Sequence, residues 1–338
     1  MGHVAPVAMV KFRLLSDKQR TDSKQGFKLI MPHPGPRLTV IDTDPGIDDA
    51  IGILLALASR DFEIAGITTV AGNIGIETTT RNAGRLLAFA GREDIPVLQG
   101  ASAPLSRPGP EPLNLHGRDG IGGVALPHPT QKPGSQDAVE WMEELLLAQP
   151  AGAVDVFALG PLTNIARLIL EKPDAAKRIG RIIAMGGAVH EHGNVGPRSE
   201  FNLWADPEAA SAVVASGLPL VLIPLDVTRR VRATREFIAA LGASGKPLAA
   251  MVGSLIDSYF ESAANRESRP LHDPCVMLYA LAPELFRIET LRLSVDTGSV
   301  EGAGALTIDE LGSPVDVALG VDGAAVLDLL ARRLTQER

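Results

Sequence analysis

Short β-branched runs alternate regularly along the chain with longer segments rich in alanine and leucine, and this alternation restricts the possible folds strongly. Residues 38–41 and 63–70 have the composition of buried strands. Residues 48–59 and 77–90 follow them with the hydrophobic spacing of helices. Because a strand, a helix and a second strand in succession form a βαβ unit with parallel strands, we expect an α/β protein.

The alternation continues toward the C-terminus without an internal repeat or a break in composition. Asp206 is a typical helix N-cap residue, and Pro207 follows it at the first helical position. We predict a single domain over residues 37–338, built on an open, mostly parallel, doubly wound sheet flanked by helices. The remaining predicted elements are helices at 137–148, 162–170 and 206–216, strands at 154–158, 181–185 and 220–224, mostly helix over 234–285, two or three antiparallel strands within 291–321, and a helix ending near 334.

Residues 1–36 show no sustained periodicity and end in a proline-rich stretch, so we expect a flexible leader there. An apolar stretch precedes the basic residues of this segment, which is the reverse of the order in a secretory signal peptide. No apolar run in the sequence approaches the ~20 residues that a membrane span requires. The one cysteine, Cys275, permits no internal disulfide, so a reducing compartment such as the cytoplasm is the expected location.

The charge balance excludes several classes of partner. The 338 residues include 32 Lys and Arg against 40 Asp and Glu, which gives a formal net charge of −8. Proteins that bind nucleic acid or an anionic membrane through their surface charge have the opposite balance. We therefore expect neither partner, and a small neutral or cationic ligand or a metal ion fits better.

A predicted strand runs directly into four aspartates, Asp42, Asp44, Asp48 and Asp49. Ligands bind at the carboxyl ends of the strands in open parallel sheets, and crowded carboxylates repel one another unless a cation lies among them. Hard oxygen ligands suit Ca²⁺ or Mg²⁺. The alternative is that Asp48 caps the next helix and the others stabilise the turn, which accounts for one or two of the carboxylates rather than four.

A second polar cluster consists of His272 and Asp273, directly before Pro274 and an apolar helix. Asp273 has the position of an N-cap, with Pro274 as the first helical residue. Alternatively, its carboxylate turns toward a cation, and His272 serves as a proton donor. The pair by itself is compatible with either interpretation.

A third cluster contains Asn194, Glu200 and Asn202, after the strand predicted at 181–185. Amide and carboxylate groups of this kind bind sugar hydroxyls, although asparagine is also common in turns. Asn73 adds an amide at the end of the second strand and therefore at the same edge of the sheet.

The stretch from 100 to 134 is long for a loop in a compact domain. Its segment from 115 to 123 is rich in glycine and includes His116. A hinged flap over the site and a solvated connector are both consistent with this composition.

Together these motifs resemble a known family. The segment Asp42-Thr-Asp-Pro-Gly-Ile-Asp-Asp-Ala50 is similar to the N-terminal fingerprint of the nucleoside hydrolases, the inosine-uridine preferring nucleoside N-ribohydrolase family. The resemblance extends over about 37–335, and the leader has no counterpart in it. Five further motifs follow in the family's order: Val70-Ala-Gly-Asn73, Ala158-Leu-Gly-Pro-Leu-Thr-Asn164, Met185-Gly-Gly187, Glu200-Phe-Asn202 and Leu271-His-Asp-Pro274.

The resemblance implies Ca²⁺-dependent hydrolysis of the N-glycosidic bond of ribonucleosides to ribose and free base, in nucleoside catabolism or salvage. It implies that Asp48 is the general base that activates water and that His272 lies beside the leaving base, where it can donate a proton. By motif position, the metal ligands would be Asp44, Asp49, Asp273 and the backbone carbonyl of Leu159. The substrate-binding residues would be Asp42, Asn73, Met185, Asn194, Glu200, Asn202 and, from the flap, His116.

A histidine at the position of His272 resembles the broad or pyrimidine-tolerant members of the family, and the family suggests a homodimer or homotetramer. Two other functions remain in competition. A phosphatase of the haloacid dehalogenase type shares an Asp-x-Asp motif after a strand, which Asp42 and Asp44 imitate, but the rest of its pattern is not matched. A non-catalytic ribose- or nucleoside-binding protein would retain the pocket without needing Asp48 or His272.

Overall fold

The computed structural model describes residues 35–109, 117, 119–261, 267–298 and 302–336. The chain from Gly35 onward forms one compact unit. Apart from residues 35 and 36, the predicted leader lies outside the described residues. Within the described ranges, no helix is both long enough and apolar enough to cross a membrane.

Nine strands of the described residues form one sheet, and two more form a small separate sheet. The large sheet consists of Arg37–Thr43 (β1), Phe62–Thr69 (β2), Val97–Gln99 (β3), Val154–Ala158 (β4), Ile179–Met185 (β5), Leu220–Ile223 (β6), Phe286–Val295 (β9), Leu306–Ile308 (β10) and Ser313–Val321 (β11). The small antiparallel sheet pairs Arg232–Thr234 (β7) with Ser268–Pro270 (β8).

The order of strands in the large sheet is β10-β9-β11-β6-β5-β4-β1-β2-β3. All neighbours from β11 to β3 run parallel, whereas β9 is antiparallel to both β10 and β11. The chain proceeds from β1 outward to β3 and then returns to the other side of β1 as β4. The carboxyl ends of β1 and β4 therefore flank a topological switch point, where open α/β sheets bind their ligands.

Hydrophobic cores lie on both faces of the sheet, because successive strand residues point to opposite sides. Val40 belongs to one core and its neighbour Ile41 to the other, and Val156 and Phe157 are divided in the same way. This confirms the predicted open, mostly parallel, doubly wound fold. The helices are Ile47–Ala58 (α1), Ile76–Ala90 (α2), Ala138–Ala148 (α3), Thr163–Glu171 (α4), Pro173–Ala176 (α5), Phe201–Ala205 (α6), Pro207–Ala215 (α7), Leu225–Thr228 (α8), Arg235–Ala243 (α9), Pro247–Glu261 (α10), Pro274–Leu281 (α11) and Gly323–Thr335 (α12).

Most predicted boundaries agree with the structure to within one or two residues. Asp206 is the N-cap of α7, and its carboxylate accepts a hydrogen bond from the amide of Ala209 at 3.0 Å. The sequence did not reveal β3 or the β7–β8 pair, since strands of three residues are too short to show a period. β9 begins at Phe286, five positions before the predicted 291, because an exposed antiparallel strand carries polar residues on one face.

Candidate active site

The turn between β1 and α1 carries the aspartate cluster and is held by Asp49. Helix α1 begins at Ile47, and its N-cap residue is Gly46, which has no side chain that could accept a hydrogen bond. The Asp49 carboxylate instead accepts hydrogen bonds from the Gly46 amide at 2.9 Å and from the Thr43 hydroxyl at 2.6 Å. The alternative that Asp48 is the N-cap is therefore wrong.

Asp44 is fully buried at the start of the same turn. Its Oδ2 accepts a hydrogen bond of 2.6 Å from the amide of Asn73, and its Oδ1 has no hydrogen-bond partner among the described residues. Gly72 and Gly160 leave room for this carboxylate, since a Cβ atom on either glycine would collide with it. Asp44 thus has one anchored oxygen and one buried oxygen available for a ligand.

Asp273 joins the cluster from a distant part of the chain. It is the N-cap of α11, with Pro274 as the first helical residue, but its side chain makes no capping hydrogen bond. The backbone of Asp273 therefore occupies the cap position, while its carboxylate takes no part in capping. Asp48, Asp49 and Asp273 each offer a carboxylate oxygen, and these oxygens lie within 4.8 Å of one another.

The electrostatics of the cluster fit a bound cation. Burial, followed by the negative charge of Asp49, raises the pKa of Asp44 well above its ordinary value. Burial and the charges of Asp48, Asp49 and Asp44 raise the pKa of Asp273 in the same way. A metal ion among these carboxylates would reverse both effects, because it favours their charged form. The unpartnered Oδ1 of Asp44 and the all-oxygen donor set suit a hard divalent cation.

Asp42 lies in β1 and connects three elements. Its Oδ1 accepts hydrogen bonds from the Thr68 hydroxyl of β2 at 2.6 Å and from the Asn164 amide of α4 at 2.7 Å. Burial raises the pKa of Asp42 to about 6, although both hydrogen bonds act in the opposite direction. These contacts give Asp42 a part in aligning the two strand ends that carry the site.

Glu200 holds the polar loop after β5. It is the N-cap of α6, and its carboxylate accepts hydrogen bonds from the Asn202 amide at 2.9 Å and the Leu203 amide at 3.3 Å. A third bond comes from the Gly187 amide at 2.9 Å. Burial raises the pKa of Glu200 to about 7 despite these three donors.

Asn202 connects the carboxyl ends of β4 and β5. Its Nδ2 donates to the carbonyl oxygen of Leu159 at 2.7 Å and to that of Met185 at 3.1 Å. Nearby, Oδ1 of Asn194 accepts a hydrogen bond of 2.9 Å from the amide of Phe201. The carbonyl of Leu159, a predicted metal ligand, is therefore fixed in position by Asn202, a residue predicted to bind substrate.

His272 and Tyr259 form another side of the site. Nδ1 of His272 lies 2.8 Å from the hydroxyl of Thr228. The guanidinium of Arg269 lies over the ring of Tyr259, 4.5 Å from its centroid, and donates through Nε to the Tyr259 carbonyl at 2.7 Å. Tyr259 is therefore held by a cation–π contact and a backbone hydrogen bond from one side chain.

A single cavity collects most of the predicted site residues. Asp42, Asp44 and Asp49 are fully buried and are not among its lining residues. His116 lies outside the described residues. The residues that line the cavity are Asp48, Asn73, Leu159, Met185, Asn194, Val195, Glu200, Phe201, Asn202, Tyr259, His272 and Asp273.

Three lining residues were not among the predicted site residues. Val195 and Phe201 are direct neighbours of Asn194 and Glu200, so proximity in sequence was an available signal. Tyr259 has the pattern of an ordinary half-buried helix aromatic, and only the packing of α10 against the site brings it there.

One hydrogen bond anchors the second part of the long loop, as far as the structure describes it. The side-chain amide of Asn82, in α2, donates to the backbone carbonyl of Asp119 at 2.8 Å.

Comparison with known proteins gives a consistent result. A model of the family described as inosine-uridine preferring nucleoside hydrolase matches residues 39–328. The pyrimidine-specific ribonucleoside hydrolase RihA of Citrobacter koseri is 39% identical over 304 residues, which cover 87% of this chain and 97% of that protein.

Solved structures agree with the sequence relatives. The plant nucleoside hydrolase PpNRh1 superposes with a TM-score of 0.85 and 33% identity, over 89% of this chain and 100% of the other. A purine-preferring ribonucleoside hydrolase from Gardnerella vaginalis superposes with a TM-score of 0.83 and 28% identity, over 88% of this chain and 98% of the other.

Proposed function

Because this chain belongs to the inosine-uridine preferring nucleoside hydrolase family and is thus an enzyme acting on N-glycosyl bonds, we propose that it cleaves ribonucleosides to ribose and free base with Ca²⁺ as its metal. The main support for this proposal is that one cavity is lined by residues of all three predicted polar clusters. Asp48 and Asp273 of the aspartate cluster, groups suited to sugar hydroxyls and a histidine suited to a leaving base all line it.

Asp44, Asp49, Asp273 and the carbonyl of Leu159 are the proposed metal ligands. Oxygen donors of this kind favour Ca²⁺ over softer metals. When bound, the ion supplies positive charge that orients sugar hydroxyls and eases the deprotonation of water. The unpartnered Oδ1 of Asp44 and the raised pKa values of Asp44 and Asp273 support the assignment.

Asp48 is the proposed general base. It is the aspartate of the β1–α1 turn that lines the cavity, so its carboxylate can take a proton from an attacking water. Asp44 is the competing candidate, since its buried Oδ1 lacks a hydrogen-bond partner among the described residues. Either carboxylate would also stabilise the positive charge that develops on the sugar as the bond breaks.

The remaining lining residues divide between sugar and base. We assign Asn73, Asn194, Glu200 and Asn202 to the ribose hydroxyls, with Met185 against the sugar. His272 donates a proton or a hydrogen bond to the departing base. Asp42 acts through Thr68 and Asn164, which align the strand ends beneath the site.

Pyrimidine ribonucleosides are the proposed first choice of substrate. The support is the identity of 39% to a hydrolase named as pyrimidine-specific, against 28% to one named as purine-preferring, together with His272. Ribose release from uridine, cytidine, inosine and adenosine at equal concentration tests this order. Faster turnover of inosine or adenosine would contradict it.

A non-catalytic riboside-binding protein is the alternative on the same fold. It predicts saturable binding of uridine without ribose release.

We also propose, from the family resemblance and the single cysteine, that the protein is a cytoplasmic homodimer or homotetramer.

A further inference from the structure

We propose that Thr228 is a positioning residue, whose hydroxyl fixes the imidazole of His272 for its contact with the leaving base. The inference rests on the proposed function and deepens it. Thr228 is fully buried, and its Oγ1 lies 2.8 Å from Nδ1 of His272. His272 is partly buried and lines the cavity.

The backbone around Thr228 is well fixed. Thr228 is the last residue of α8, the single turn that follows β6 at the carboxyl edge of the sheet. Its amide donates to the carbonyl of Pro224 at 3.1 Å, and its carbonyl accepts from the amide of Val231 at 3.2 Å. The carboxylate of Asp226 also accepts hydrogen bonds of 2.8 Å from the amides of Val189 and His190, which tie α8 to the loop after β5.

The segment that carries His272 is fixed to the same region. The amide of Leu271 donates to the carbonyl of Val231 at 2.9 Å, and the carbonyl of His272 accepts from the amide of Cys275 at 3.1 Å. The hydroxyl and the imidazole therefore meet between two anchored backbones. Such a contact holds the ring in one orientation with little further loss of side-chain entropy.

A hydroxyl suits this place in either tautomer of the imidazole. A threonine oxygen can accept a hydrogen bond from Nδ1–H or donate one to an unprotonated Nδ1. Because Nδ1 is engaged by Thr228, we assign the contact with the leaving base to Nε2. A hydrogen bond to one imidazole nitrogen sets the orientation and tautomer of the ring. Valine has nearly the same shape as threonine but lacks the oxygen, so Thr228→Val removes this contact while the packing is retained.

Two substrates separate a positioning role from a structural one. Uridine has a poor leaving group that benefits from a proton donor, whereas a nitrophenyl riboside leaves as a stable anion without one. We expect Thr228→Val to lower kcat for uridine by at least about tenfold, since general acid catalysis typically contributes ~100-fold or more. We expect its kcat for the nitrophenyl riboside to change by less than about threefold, and Thr228→Ser to recover most of the loss on uridine.

A double-mutant cycle checks that the effect passes through His272. In a His272→Ala background, Thr228→Val is expected to cause no further loss on uridine. If the valine variant does not fold, Thr228→Ala takes its place in the same comparisons.

Equal losses on both substrates, an unchanged kcat for uridine in Thr228→Val, or an additive effect in the His272→Ala background would each overturn the inference. The proposed function fails separately, if the wild-type enzyme releases ribose from neither substrate.

Discussion

The backbone amide of Asn73 donates a hydrogen bond of 2.6 Å to Oδ2 of Asp44 and so ties the end of β2 to the turn after β1. Gly72 and Gly160 lie so close to this carboxylate that neither position has space for a Cβ atom. The conformation of Asp44 is therefore determined by the backbones of two neighbouring loops, and its second oxygen is left for a ligand.

The close approach of Gly160 predicts that Gly160→Ala impairs metal binding. The added methyl group would displace the Asp44 carboxylate, because the surrounding backbone is buried and cannot easily move. We expect at least about a tenfold weaker Ca²⁺ affinity by titration calorimetry, given that even changes to groups that only support the metal ligands typically cost roughly 10–100-fold. Gly75→Ala is the matched control, since a Cβ atom there meets nothing within 4 Å. Equal Ca²⁺ affinities of the two variants would contradict the prediction.

The position of Asp48 in the cavity predicts that Asp48→Asn loses hydrolysis and still binds substrate. An amide has nearly the same shape but cannot accept the proton of water, so kcat for uridine should fall by roughly 10²–10⁴-fold. Uridine binding, measured by calorimetry in the presence of Ca²⁺, should change by only a few-fold. Asp44→Asn is the companion variant, which we expect to weaken Ca²⁺ binding. If Asp44→Asn instead retained Ca²⁺ and lost hydrolysis, the general base would be Asp44.

The raised pKa of Glu200 predicts a distinct pH dependence of stability. Burial raises this pKa from 4.5 to about 7, so the folded protein holds a proton that the unfolded chain releases. The group's contribution is fully present below pH 4.5 and is lost as the pH rises through about 7. Relative to Glu200→Gln, the unfolding free energy of the metal-free wild type should fall by up to roughly 3 kcal/mol over this interval.

Urea unfolding of the metal-free protein at intervals from pH 4.5 to about pH 8 measures this difference. Glu63→Gln, a substitution at an exposed position of β2, is the control and should follow the wild type. Parallel pH profiles for the wild type and Glu200→Gln would show that Glu200 is not protonated in the folded state.

The two hydrogen bonds donated by Asn202 predict that Asn202→Asp is strongly destabilising. A carboxylate at this place would oppose the carbonyl oxygens of Leu159 and Met185, which now accept hydrogen bonds of 2.7 and 3.1 Å. We expect a loss of about 2–4 kcal/mol in the free energy of unfolding, because two buried acceptors lose their donor beside a new charge. Asn194→Asp is the control, as its oxygen still accepts the hydrogen bond from Phe201. Similar losses in both variants would point to general charge repulsion.

Local patterns in the sequence predicted much of this fold. For example, the hydrophobic periodicity of β1 and of α1 can be recognised within about a dozen residues. Parallel strands end at one edge of a sheet, and this rule alone is enough to predict that Asp48, Asn73 and Leu159 lie together, as they do in the cavity. Contacts between distant elements could not be predicted in that way. Asp42 is paired with Thr68 and Asn164, and no spacing in the sequence indicates either partner.

Thr228 and Tyr259 illustrate the same limit. Thr228 follows β6 at the carboxyl edge of the sheet, so the edge rule could have identified it, but its partner His272 is 44 residues away. Tyr259 reaches the cavity through the packing of α10, which depends on the tertiary fold.

We propose that a carboxylate-bound Ca²⁺ and the residues around it hydrolyse ribonucleosides. Ribose release from uridine, measured before chelation, after removal of the metal and after addition of Ca²⁺, tests it most directly. We predict release that disappears on chelation and returns with Ca²⁺ but not with buffer alone. Release that continues unchanged in the metal-free protein would exclude a catalytic role of Ca²⁺, and no release at any stage despite bound Ca²⁺ and bound uridine would exclude ribonucleoside hydrolysis.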